Sequence, residues 1–309
     1  MVALSTGIAF GQSFPTKPVR VITAEVGGGA DFVARLLAQG LSAIFGHPVL
    51  VDNQGGASGI IAAQSILKAP ADGYTMLFYA SNIWILPFLQ SSVPYDPVKD
   101  FSPVTLVDRA PSVLVVNPAL PVKSVKQLIA LAKARPGELN YAAGSSGASP
   151  HLSAELFKSM AGVNIVRISY KGTSPAITNL IAGQVQLMFA TSSAASIHIK
   201  SGRLRALAVT SAQPSLLMPD LPTLAAAGVP GYEAESTHGV LVRTGTPAPI
   251  VARLNQEILR VLDNRELQAK LLAAGVEPVG STPVQFAQVI RSDMEKWGKL
   301  IKEGGIRND

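Results

Sequence analysis

Two spacings of apolar residues alternate along this chain. Short β-branched runs give way to stretches with apolar residues three and four positions apart, and turns rich in glycine, serine and proline separate them. Residues 19–23 predict a strand, Gly27, Gly28 and Gly29 break it, and 31–45 predict a helix through Phe32, Leu36, Leu37, Leu41 and Ile44. The pattern repeats as a strand over 48–51, a turn-rich loop over 53–59, a helix over 60–68 ended by Pro70 and Gly73, and a strand over 75–79. A strong strand signal over 113–116 closes the region 104–116. Beyond it come helices over 125–134, 151–160 and 175–182, interleaved with strands over 139–142, 163–169, 185–189 and 204–210. A strand over 239–242 and helices over 249–262, 265–274 and 283–302 complete the chain.

Strands alternating with helices in this way predict an α/β fold, with a mainly parallel sheet flanked by helices in each domain. The 309 residues suffice for two domains at about 150 residues each. Because the pattern restarts after 112, residues 113–235 are expected to form a domain inserted into one built from 14–112 and 236–309. The two crossings, 107–112 and 233–238, are the expected hinges. Residues 2–10 are small and apolar, and Ala9 and Gly11 flank Phe10 as a signal peptidase requires, so 1–13 reads as the remnant of an export signal. The uncharged runs 73–95 and 172–199 are broken by Pro87 and Pro94, and by Asn179, Gly183 and Gln184, which argues against a membrane span. An exported, soluble, periplasmic protein is expected.

The charge balance, 26 Lys and Arg against 20 Asp and Glu, gives +6, but the cations are scattered singly, so no nucleic-acid partner is expected. The absence of cysteine excludes disulfides, thiolate metal sites and a cysteine nucleophile. What remains is chemistry carried by loops. Four of them, beginning near Gly27, Gly55, Gly144 and Gly172, join the carboxyl end of a strand to the amino end of a helix, where an open parallel sheet binds ligands. Unpaired N–H groups and the helix dipole favour an anion there, glycine lets it approach the backbone, and serine and threonine add hydroxyl donors. Neither nucleotide-binding glycine motif occurs at these loops, Lys171 precedes its glycine, and no cofactor is expected. The run Gly144-Ser145-Ser146-Gly147-Ala148 misses the hydrolase nucleophile motif at its last residue. His151 and Glu155 lie one helical turn apart without further ligands at metal-site spacing, so no metal is expected.

At this point the residues resemble the Bug-type periplasmic receptors of tripartite tricarboxylate transporters. The resemblance runs from Phe14 almost to the C-terminus. Its marks include Phe14-Pro15-Thr16-Lys17-Pro18, Gly27-Gly28 with Asp31-Phe32-Val33-Ala34-Arg35, and Ala71-Asp72-Gly73-Tyr74-Thr75. Further along are Pro150-His151-Leu152, Tyr170-Lys171-Gly172 and Gly245-Thr246-Pro247. It implies a two-domain Venus-flytrap receptor that closes on a small carboxylated solute, held through backbone amides, hydroxyls and water. The chain departs from that pattern in its first loop, where Thr23-Ala24-Glu25-Val26 replaces a proline- and phenylalanine-bearing stretch. Ala190 stands where an aspartate is common, and Thr237 where a tryptophan is common.

The expected ligand-binding residues are Glu25, Gly27, Gly28, Gly29, Asp31, Ala57 and Ser58 in the first domain. In the second they are Ser145, Ser146, Gly147, Ser149, His151, Lys171, Gly172, Thr173 and Ala190, and His238 is expected at the second hinge. Asp31 is expected to cap its helix or to accept from a ligand, and Glu25 to accept from a ligand hydroxyl or amine or to point to solvent. The expected partners are a small organic acid (dicarboxylate, aromatic acid or amino acid) and membrane transporter subunits, with the protein a monomer. The alternatives are a receptor serving a membrane sensor, and a hydrolase using Ser146 or Ser149 with His151.

Overall fold

The computed structural model describes residues 14–24, 26, 27, 29–144, 148–170 and 172–307, so the leader proposed over 1–13 lies outside them. In chain order the strands are β1 (Val19–Thr23), β2 (Val49–Asn53), β3 (Thr75–Ala80), β4 (Phe101–Val116), β5 (Asn140–Ala143), β6 (Val166–Ser169), β7 (Leu187–Thr191), β8 (Arg205–Val209), β9 (Glu235–Arg243) and β10 (Glu277–Pro278). The helices are α1 (Gly29–Phe45), α2 (Ile60–Lys68), α3 (Asn82–Leu89), α4 (Val125–Ala134), α5 (Ser149–Ala161), α6 (Thr173–Ile181), α7 (Ser192–Lys200), α8 (Leu224–Ala227), α9 (Ala248–Leu262), α10 (Arg265–Ala273) and α11 (Pro283–Gly304).

The strands form one continuous path in the order β2-β1-β3-β9-β4-β7-β5-β6, with β8 and β10 also paired to β4. Each half has a parallel group of three strands, β2-β1-β3 and β7-β5-β6. The sheets are mixed where mainly parallel ones were expected, because β4 and β9 carry the chain between the halves and pair antiparallel with each other, with β3 and with β7. The segments expected as hinges are therefore hydrogen-bonded strand: Asp108 faces His238 and Pro111 faces Glu235 in the β4–β9 ladder. Irregular register at 103–105 and 106–108 marks bulges in β4.

Alternation along β4 divides the core. Leu114 and Val116 face one side, where a single apolar core runs under α2, α3, α11, α4 and α5 across both halves. Val113 and Val115 face the other side, where the core splits into one part beneath α1, α9 and α10 and another beneath α6 and α7. The long helix α11 starts with a capping box: the Thr282 hydroxyl accepts from the Gln285 N–H at 3.2 Å while the Gln285 side chain accepts from the Thr282 N–H at 2.9 Å. Its Phe286 is fully buried against Trp84 of α3, and β9 passes beneath it at Gly239, where a Cβ would run into the Phe286 ring.

Candidate functional site

The ladder register fixes where the strand ends meet. β1, β2 and β3 run parallel and end at Thr23, Asn53 and Ala80, and Ala80 pairs with His238, which in turn faces Asp108 of β4. From the other half, β5, β6 and β7 end at Ala143, Ser169 and Thr191, and Thr191 pairs with Ser112 of β4. The carboxyl ends of six strands thus converge from opposite directions on residues 108–112 of β4. Each leads to a helix amino end, through a loop or, as from β7 into α7, directly, the arrangement that places ligands in open α/β sheets.

In the first half the loops are tied together by one buried carboxylate. Asp31, in the first turn of α1, accepts from the Gly27 N–H at 2.8 Å and from the Asn53 amide at 2.8 Å, and pairs with Arg35 Nε at 2.9 Å. Asn53 also donates to the Ala24 carbonyl at 2.9 Å, so the first loop, α1 and the end of β2 share one network. Burial alone would raise the Asp31 carboxyl; Arg35, the Gly27 N–H and Asn53 outweigh it and hold the group at about 2. Asp31 therefore orders the loop. A carboxyl lowered on folding stabilises fully above its ordinary value of 3.8 and loses that contribution as pH falls through about 2. Melting temperature followed from neutral to strongly acidic pH should accordingly show a shallower acid limb in Asp31→Asn, and parallel curves would refute the assignment.

Ala57 and Ser58 are exposed, with positive φ of 46° and 55°, between Gly56 and Gly59, both with φ of 97°. Four such residues in succession turn the chain sharply into α2, and the Ser58 carbonyl accepts from Asn82 at 2.7 Å. Gly27, ahead of α1, and Gly29, its first residue, are exposed. In the second half Ser149 opens α5, and Gly172, with φ of 107°, precedes the exposed Thr173 at the start of α6. Glu25, Gly28, Ser145, Ser146, Gly147 and Lys171 lie outside the described residues.

Three expectations change. Ala190 is completely buried in the core beneath α6 and α7, because its position on β7 turns its methyl to the helix layer; the exposed residue at that strand end is Thr191. His238 does reach the level where the strand ends meet, but its ring is bonded to Asp108 at 2.7 Å and stacked on Phe78. Burial opposes its protonation, and the adjacent Asp108 carboxylate outweighs that and raises its pKa. His151 is buried one turn into α5. Its neighbour Glu155 accepts from Tyr141 at 2.5 Å and pairs with Lys158 at 2.8 Å, and no metal-ligating cluster occurs among the described residues.

Asn53, Arg35, Asn82 and Arg167 act at these loops without having been singled out as ligand-binding. Arg167 Nη2 donates to the Gly144 carbonyl at 2.6 Å, at the root of the serine–glycine loop. In sequence it is merely the polar member of an alternating strand.

The model of the tripartite tricarboxylate transporter family receptor matches residues 33–306. The chain belongs to that receptor family. Among its relatives, BugT of Bordetella pertussis is 37% identical over 299 residues, covering 96% of this chain and 92% of BugT. A structure of R. palustris Rpa4515 with adipate is 39% identical, covers 95% of this chain and 99% of that one, and superposes with a TM-score of 0.77. MatC of Rhodopseudomonas palustris with bound malate is 28% identical, covers 93% and 100%, and gives a TM-score of 0.73. The α/β fold with flanking helices expected from the Bug resemblance is the one these solved structures share, and no described helix of this receptor is long and apolar enough to cross a membrane.

Proposed function

We propose that this receptor captures a small organic carboxylate outside the cytoplasm, in the periplasm, and delivers it unchanged to a tripartite tricarboxylate-type membrane transporter. The observation that carries the reading is the convergence of six strand ends, three from each half, on residues 108–112 of β4. A solute held there contacts loops from both halves at once, so binding favours a closed arrangement over an open one. The halves correspond to residues 14–112 with 236–309, and to 113–235. Adipate in one relative and malate in another make dicarboxylates the first solutes to test.

Isothermal titration with adipate, malate, aromatic acids and amino acids, paired with small-angle scattering, tests the reading. One class should bind with unit stoichiometry and shrink the radius of gyration, and the solute should be recovered chemically intact. Failure of every acid to bind, or conversion of the bound one, would overturn it.

A further inference from the structure

Charges of opposite sign organise the two sets of loops. At α1 the protein's own Asp31 carboxylate occupies the Gly27 N–H. At α5 the organising group is a cation: Arg167 stands opposite Tyr141 in the β5–β6 ladder and donates to the Gly144 carbonyl at 2.6 Å, fixing the chain at the first residue beyond β5. The other ionisable groups facing this place are committed elsewhere. Glu155 takes both the Tyr141 hydroxyl and Lys158, with Lys158 at 2.8 and 2.9 Å from its two oxygens. His151 stays neutral: burial first, and the Arg167 charge second, hold it at about 4.

We propose that Arg167 is the positioning residue of the carboxylate site in the second half. By holding the Gly144 carbonyl it sets the root of the serine–glycine loop, and its charge keeps the amino end of α5 attractive to an anionic solute. An arginine fork clamps a carbonyl with a direction and a permanent charge that a lysine supplies only in part. This inference rests on the receptor reading above.

Adipate and malate are titrated separately into wild type, Arg167→Met, Arg167→Lys and Arg205→Met. Arg205 also clamps main-chain carbonyls, reaching Val122 at 2.9 Å, but beside the start of β8, where it faces Val116 at the far end of β4. Loss of a charge-assisted hydrogen bond predicts affinity for the bound acid about 10- to 100-fold weaker in Arg167→Met. Arg167→Lys should recover part of it, and Arg205→Met should bind as wild type does even if it melts earlier. A proton NMR titration adds a readout that general loosening would not move in a fixed direction. The His151 midpoint, assigned with His151→Gln, should rise from about 4 in Arg167→Met, because a neighbouring positive charge has been removed. If wild type binds neither acid, the receptor reading fails for dicarboxylates and the inference falls with it. If wild type binds and Arg167→Met binds equally well, or the His151 midpoint stays put, the inference alone is overturned.

Discussion

Replacing Glu277 by alanine is expected to cost about 3–5 kcal/mol of stability, the loss typical of removing one partner from a buried ion pair. Glu277 is 1% exposed. Its Oε2 takes Arg109 Nε at 2.9 Å, while Oε1 accepts from the Ser215 hydroxyl at 2.5 Å and from the Leu216 N–H at 2.7 Å. Truncation leaves a guanidinium and three donors, the Leu217 N–H at 3.4 Å among them, without that acceptor in one step. Ser215 and Leu216 lie between β8 and α8, in the stretch 113–235, whereas Glu277 belongs to β10 and pairs with β4 before that stretch begins. The carboxylate therefore fastens the segment between β8 and α8 to the β10–β4 edge of the sheet. Urea unfolding of wild type, Glu277→Gln and Glu277→Ala should rank them in that order of stability, since the amide keeps an acceptor oxygen. Unchanged stability in the alanine variant would show that the contact contributes nothing.

Glu235→Gln should act in the opposite direction and stabilise the protein above neutrality. Glu235 opens β9 opposite Pro111, and its Oε1 is buried with no hydrogen-bond partner among the described residues. Burial pushes the carboxyl up to about 7; the Arg109 charge opposes the rise, and Glu233 and Glu277 reinforce it. The folded state thus holds this proton to higher pH than the unfolded chain, whose ordinary value is 4.5. The sign follows from linkage: the stabilisation is complete below 4.5 and is lost as pH rises through about 7. A shift of this size corresponds to about 3 kcal/mol at alkaline pH, and glutamine, which mimics the protonated form, would escape that loss. Wild-type melting temperature should fall more steeply from mildly acidic to mildly alkaline pH than the variant's, since the raised His238 imposes its own decline on both. Identical slopes would sink the explanation. Because Glu235 and Glu277 both lie beside Arg109, substitutions at the two positions should not be additive.

How much of this was legible in the chain depended on whether the signal was local. Helix α4 was read residue for residue: Ser124 caps it by accepting from the Gln127 N–H, and Pro136-Gly137 follow closely after it. Helix α3 gave no periodic signal, since Asn82–Leu89 is apolar almost all round and Ile83, Trp84, Ile85, Leu86 and Leu89 are buried. Strand β4 was read as a strand over 113–116 and as a hinge just before. Pro103, Asp108, Arg109 and Pro111 break the apolar run, and pairing with β9, bulges included, and with β10 at Asp108 and Arg109 keeps that segment extended. The glycine loops were legible because turns and helix starts announce themselves in sequence. Their organising contacts were not: Asn53 meets Asp31 across 22 positions and Arg167 meets Gly144 across 23. Ala190 failed for a related reason, since a residue's place near a strand end does not say which side of the sheet its methyl faces.

The bulges in β4 bear on how any movement between the halves would be measured. In the β4–β9 ladder irregular pairing is confined to residues 103–108, β4 shifts once more against β8 between Leu114 and Val115, and the β1–β2–β3 and β5–β6 ladders on either side keep a constant register. Bending concentrated at such a joint tilts each flanking set of strands as a rigid plate. A spectroscopic ruler with one label on each plate then reports one angle, and two rulers placed at different positions must give the same answer.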